Sequence, residues 1–129
     1  MLPFTVALRP GLSVHEQVLF AVKKAIVSGR MRPGDEFPSV RALSKDLRIN
    51  PNTAHKVVAA LLSDGLLEVR PGIGTFVAQR PASTADQRRA LLREDVERLV
   101  VEARHLHLDV QDVVDAVIDQ WARLDKGGR

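Results

Sequence analysis

LRINPNTAHKVVAALLSDGLL, residues 47–67, joins two kinds of sequence. From Val57 it reads as an ordinary buried helix, yet Asn50-Pro51-Asn52-Thr53 sets turn formers and caps directly in front of it. Asn50 is a strong N-cap residue, because its side-chain oxygen accepts from an orphan N–H of the first turn. Pro51 suits the first helical position, where its missing N–H costs nothing. Ala54, Val57, Val58, Leu61 and Leu62 recur at i, i+3, i+4, i+7 and i+8, which defines one buried face. Asn52, His55, Lys56 and Ala59 fall on the opposite face, with Thr53 beside them. Gly65 closes the helix. The spacing therefore predicts a sharply started helix whose first turns present polar groups above an apolar anchor.

The surrounding sequence extends this pattern. Upstream, Ser39 caps a short helix that carries Val40, Leu43 and Leu47 inward, although Ala42 stands where a carboxylate would complete the capping box. Arg41 and Lys45 lie on that helix, and Arg48 lies in the turn before Asn50. Earlier still, Ser13 and Glu16 form a Ser-x-x-Glu capping box, followed by Val18, Val22 and Ile26 at helical spacing. Gly29 is placed to end that helix in a left-handed cap. RMRPGDEFP, residues 30–38, reads as a turn centred on Pro33-Gly34. Downstream, LLEVR (66–70) and GTFVAQ (74–79) read as two strands around the tight connection PGIG (71–74). The order is helix, helix–turn–helix, hairpin: a mainly α domain with a small β-hairpin.

Length and composition bound the function. The 129 residues suffice for one domain and an appendage, and 45% hydrophobic with 27% charged residues is a globular balance. The absence of cysteine excludes disulfides, thiolate metal sites and a cysteine nucleophile. MLPFTVALRP lacks the charged and apolar regions of a signal peptide, and no apolar run reaches the roughly 18 residues of a membrane helix. The expectation is a soluble, cytoplasmic protein that makes no membrane contact. The net charge of +3 is divided unevenly. Residues 1–80 hold eleven Lys/Arg against six Asp/Glu, whereas residues 81–129 hold eight against ten. A basic front and a mildly acidic back suggest different partners, the front facing something anionic.

AQRPASTADQ, residues 78–87, interrupts the apolar pattern, and the domain boundary is placed at Pro81. Beyond it, two amphipathic helices are expected. In the first, Leu92, Val96, Leu99, Ala103 and Leu106 alternate by four and three, the spacing of a helix–helix seam. Asp109 can cap the second, where Val110, Val113, Val117, Trp121 and Leu124 line one side. Two such helices have little to bury against except each other and a second copy, so a homodimer follows. The division is thus residues 1–80 for the first domain and 81–129 for dimerisation.

The polar face of the 51–63 helix carries the chemistry. Amides read adenine edges bidentately, a lysine donates to guanine or phosphate, and a threonine methyl meets thymine. The helix N-terminus attracts phosphate, and a preceding helix bearing Arg41 and Lys45 would lie across the backbone. The bland alternative is a solvated helix face with a well-capped start.

The motifs HEQV, SGRMRPGDEFPSVRAL, LRINPNT and SDGLLEVRPGIGTFV occur in order across about residues 10–80. In these the chain strongly resembles the winged helix-turn-helix domain of GntR-family bacterial transcription regulators. With only about 49 residues following, it looks like the YtrA-like subfamily, whose two short C-terminal helices serve dimerisation. The resemblance implies a winged helix-turn-helix domain followed by two C-terminal helices, acting on double-stranded DNA as a homodimeric repressor responsive to a small-molecule effector. Arg41 matches the second-helix arginine that contacts DNA, and Asn52, Thr53, His55 and Lys56 match positions facing the major groove. Gly72 and Gly74 match the wing tip that, in the family, approaches the minor groove, with Thr75 beside it. Two departures matter: Ile73 and Pro71 stand where many members are basic, leaving Arg70 to serve from the flank. Pro51 and His55 stand where many members carry arginines, which points to different operator preferences.

Other motifs read more plainly. His105, His107 and Asp109 are surface or interface groups near a helix end rather than metal ligands. Trp121 belongs to the apolar stripe, with stacking on an effector as the sharper alternative. Lys23-Lys24 either holds phosphate or is simply exposed. PGIG lacks the spacing of a nucleotide loop. No cofactor site and no catalytic constellation is present, so an enzyme is not expected. The competing class is a winged-helix protein-interaction module.

Overall fold

The computed structural model describes residues 2–79 and 83–127. The boundary expected at Pro81 lies outside the described residues. Two compact units emerge, Met1–Arg80 with Leu124–Arg129, and Pro81–Arg123.

The first unit is built from α1 (Val14–Val27), α2 (Val40–Leu47), α3 (Pro51–Ser63), β1 (Leu67–Arg70) and β2 (Gly74–Val77). Each helix starts where a side chain can accept an orphan N–H. Ser13 Oγ accepts from Glu16 N–H at 3.2 Å, Ser39 Oγ from Ala42 N–H at 3.1 Å, and Asn50 Oδ1 from Asn52 N–H at 2.8 Å. Gly29 follows α1 at φ +83°, the left-handed residue that the cap required. The core draws Val18, Val22 and Ile26 from α1, Leu43 from α2, Ala54, Val57 and Leu61 from α3, and Leu67 and Val77 from the hairpin. α3 packs against α1, α2 and β1, so its apolar side is held by three elements.

Two features go beyond the sequence reading. The segment expected as a turn at residues 30–38 turns at Pro33-Gly34 and then runs alongside β2 through an isolated bridge. Glu36 bridges Phe76, and Gly34 N–H donates to Val77 C=O, Val77 N–H to Asp35 C=O and Phe37 N–H to Thr75 C=O, each at 2.8 Å. The chain before α1 lies across the core as an arm, with Phe4 buried, Leu2, Val6 and Leu8 half-buried, and the residues between them exposed. Phe4 stacks on Phe37 with ring centroids 6.1 Å apart. Gln17 pins the arm, accepting from Arg9 N–H at 2.8 Å and donating to the Arg9 carbonyl at 3.2 Å.

Beyond β2, α4 (Ala85–Ala90) runs through a π-helical turn (Leu91–Asp95) into α5 (Val96–His105), and α6 (Val110–Asp125) follows, its residues to Arg123 belonging to the second unit. The seam expected from Leu92 to Leu106 therefore crosses one wider turn, which shifts Leu92 out of the regular spacing of Val96 and Leu99. Thr84 and Gln87 form a reciprocal capping box that starts α4. At the start of α6 the Asp112 carboxylate accepts from Asp109 N–H at 2.9 Å, and the Asp109 carbonyl accepts from Asp112 N–H.

Candidate nucleic-acid interface

The helix–turn–helix is closed by Arg48, Ile49 and Asn50. Arg48 ends α2 in the left-handed conformation, φ 54° and ψ 48°, and its N–H donates to the Ser44 carbonyl. Ser44 then holds the turn twice: its hydroxyl donates to Ile49 C=O at 2.7 Å, and its carbonyl accepts Ile49 N–H at 3.1 Å. This short corner sets α3 against α2.

With Ala54, Val57 and Leu61 in the core, the other side of α3 is turned outward. Asn52, His55, Lys56 and Ala59 are exposed and Thr53 is half-buried. Asn50 is also exposed, but its Oδ1 is committed to the cap. Arg41 and Lys45 are exposed one turn apart on α2, and Arg48 is exposed in the corner. From residue 40 to residue 63 the chain carries Arg41, Lys45, Arg48 and Lys56 against Asp46 as the one acid. The face combines hydrogen-bonding groups on the first turns of one helix with cations on the other, which is what base edges flanked by phosphates require.

The hairpin projects from the C-terminal end of α3. Leu66 N–H donates to Leu61 C=O at 3.0 Å, and the strands pair antiparallel from Leu67↔Val77 to Arg70↔Gly74. Arg70-Pro71-Gly72-Ile73 turns back with Ile73 N–H on Arg70 C=O at 2.9 Å and Gly72 at φ +75°, the pattern of a type II turn. Gly74 follows at φ +150°, and Thr75 is half-buried. Arg70 is more engaged than the sequence suggested. Its Nη2 lies 3.1 Å from Glu68 Oε1, and its guanidinium carbon sits 4.2 Å from the centroid of the Phe76 ring. Glu68 and Phe76 are thus residues that the sequence reading missed. The available signal was the i, i+2 spacing of Glu68 and Arg70, which puts both on one face of a strand.

In the tail, Ala103 is buried at 6% exposure. Leu92, Val96, Leu99, Leu106, Val117 and Trp121 are all exposed. Among the described residues no three His, Asp or Glu side chains converge to hold a metal, and no helix is long and apolar enough to cross a membrane.

Comparison with known proteins agrees with this geometry. Residues 14–77 match the family model for bacterial regulatory proteins of the gntR family. Across 122 residues the chain is 27% identical to the HTH-type transcriptional repressor YtrA of Bacillus subtilis, covering 94% of this chain and 93% of that protein. A Listeria monocytogenes structure described as a transcriptional antiterminator shares the fold, with a TM-score of 0.79, 20% identity, and coverage of 98% of this chain and 92% of its own. AraR(DBD), solved in complex with operator ORX1, is 29% identical with a TM-score of 0.50, covering 57% of this chain and 95% of its own.

Proposed function

Because the chain belongs, through residues 14–77, to the GntR family of bacterial regulatory proteins and follows the YtrA-like pattern, we propose that it represses transcription as a homodimer on a palindromic operator. It is a DNA-binding regulator and not an enzyme; the finer reading concerns how it acts. The observation that carries it is the outward face of α3, where Asn52, Thr53, His55 and Lys56 stand above a buried anchor. Each protomer would place this face in a major groove. Arg41, Lys45 and Arg48 would neutralise phosphates and supply the salt-sensitive part of the affinity. The apolar exposure of the tail supports dimerisation, and a twofold dimer reads a twofold operator. Repression is favoured by the likeness to YtrA. A small-molecule effector would act in the open groove of about 580 Å³ beside α5 and the start of α6, lined by Val100, Leu108 and Val113 with Arg104 and His107. The working location is the cytoplasm, on the nucleoid.

Selection of bound duplexes from a random-sequence pool tests this directly. On the selected operator, Asn52→Ala and Lys56→Ala should each lose about 1–3 kcal/mol and relax base preference. If both variants bound operator and random DNA as the parent does, α3 would not be the reading helix. A protein-interaction module would need an apolar α3 surface, and salt-insensitive behaviour toward duplex DNA would favour it.

A further inference from the structure

The wing ends in an apolar side chain. Ile73 is 71% exposed at the tip of the hairpin, and Val69 is 56% exposed on the strand leading to it. Single exposed apolar residues are ordinary on protein surfaces, but three features set this one apart. Its backbone is fixed by Pro71, by the left-handed Gly72 and by the Ile73–Arg70 hydrogen bond, while the segment 34–37 braces the base of the hairpin. Its neighbours Gly72 and Gly74 carry no side chains, so the strand ends can approach a surface closely with Ile73 leading. It has no free cation beside it: within residues 66–79 only Arg70 and Glu68 are charged, these two are paired with Arg70 also over Phe76, and the one further charged group near the tip is the Glu36 carboxylate beside Gly74.

A cationic tip would respond to the deepened negative potential of a narrow minor groove. An apolar tip works differently: side chains such as isoleucine and leucine enter between base pairs, partly unstack them and kink the duplex. The strain depends on how easily the step opens, and pyrimidine–purine steps open most readily. We infer that Ile73 is a minor-groove wedge, so that the protein selects deformable steps flanking the bases read by α3. This rests on the DNA-binding reading above.

The test uses the full-length chain and duplexes recovered by selection from a random pool, with 2-aminopurine placed at the flanking steps. The parent should favour pyrimidine–purine flanks and raise the 2-aminopurine fluorescence on binding. Ile73→Ala should keep the central base preference, lose the flank preference and the fluorescence rise, and weaken binding about tenfold, with an unchanged salt slope. Ile73→Lys should also lose the flank preference but steepen the salt slope by about 1. If Ile73→Ala kept both the flank preference and the fluorescence rise, the wedge would be refuted while the DNA-binding reading stood. A change in the mass of the assembly with DNA binding untouched would make the tip a protein contact and overturn the wedge. A parent that selected no sequence at all would overturn both readings.

Discussion

Arg48 shows what one residue does at the corner of the helix–turn–helix. A non-glycine side chain in the left-handed region costs about 1–2 kcal/mol, and glycine would sit there without that strain. The chain nevertheless places a long cation at this position, exposed between the two helices that form the candidate interface. Alanine would bear the same backbone strain, so Arg48→Ala isolates the charge. Its thermal midpoint should stay near the parent's, while binding to duplexes of any sequence weakens and the slope of log K against log salt falls by about 1. An unchanged slope in a salt titration would remove Arg48 from the phosphate contacts. Its place in the turn was legible from the sequence. The left-handed geometry was not, because it follows from Ser44 gripping Ile49 and not from any preference of arginine.

α3 carries a structural task and, on the proposed function, a recognition task, and Asn50 is where the two can be separated. Its Oδ1 caps the helix at 2.8 Å, so Asn50→Ala should destabilise the fold by about 1 kcal/mol, read as a lower midpoint in thermal denaturation. Asn50→Asp keeps the cap and suits the helix dipole, so the fold should hold its stability. The added negative charge beside the phosphates should nevertheless weaken DNA binding. An aspartate variant that binds DNA as the parent does would make Asn50 a cap and nothing more. Elements of this kind were readable because their signals are local: a cap, a proline at the first position and an apolar stripe lie within a dozen residues. The bridging segment at residues 34–37 and the arm at residues 2–8 were not readable in that way. Leu2, Phe4, Val6 and Leu8 do alternate, but what the arm packs on, including Phe37, comes from later in the chain. The pairing of Arg70 with Glu68 over Phe76 likewise needs the register Glu68↔Phe76, which only the closed hairpin defines.

At the scale of the molecule, the second unit is small and apolar on its outside, and the proposed homodimer would cover that surface with a second copy. A unit this short buries a small share of its own surface, and the exposed Leu99, Leu106, Val117 and Trp121 remain in contact with water. Covering such a surface with another copy releases it from water at about 25 cal/mol per Å² of apolar area. The π turn confines the regular seam to residues beyond Asp95, which leaves Leu99 near its middle. A charge placed there must be buried unpaired in any interface that uses the seam, and that cost exceeds what the neighbouring leucine and valine side chains gain. Leu99→Asp should therefore yield a folded single chain by light scattering, since Leu99 contributes little to the monomer at 46% exposure. Binding to a duplex with two half-sites should drop steeply, because the second site is no longer held at high effective concentration, whereas binding to a half-site duplex should match the parent's. If Leu99→Asp remained dimeric, the dimer would have to form through another surface. If it became monomeric yet kept full affinity for the two-half-site duplex, dimerisation would be irrelevant to operator choice.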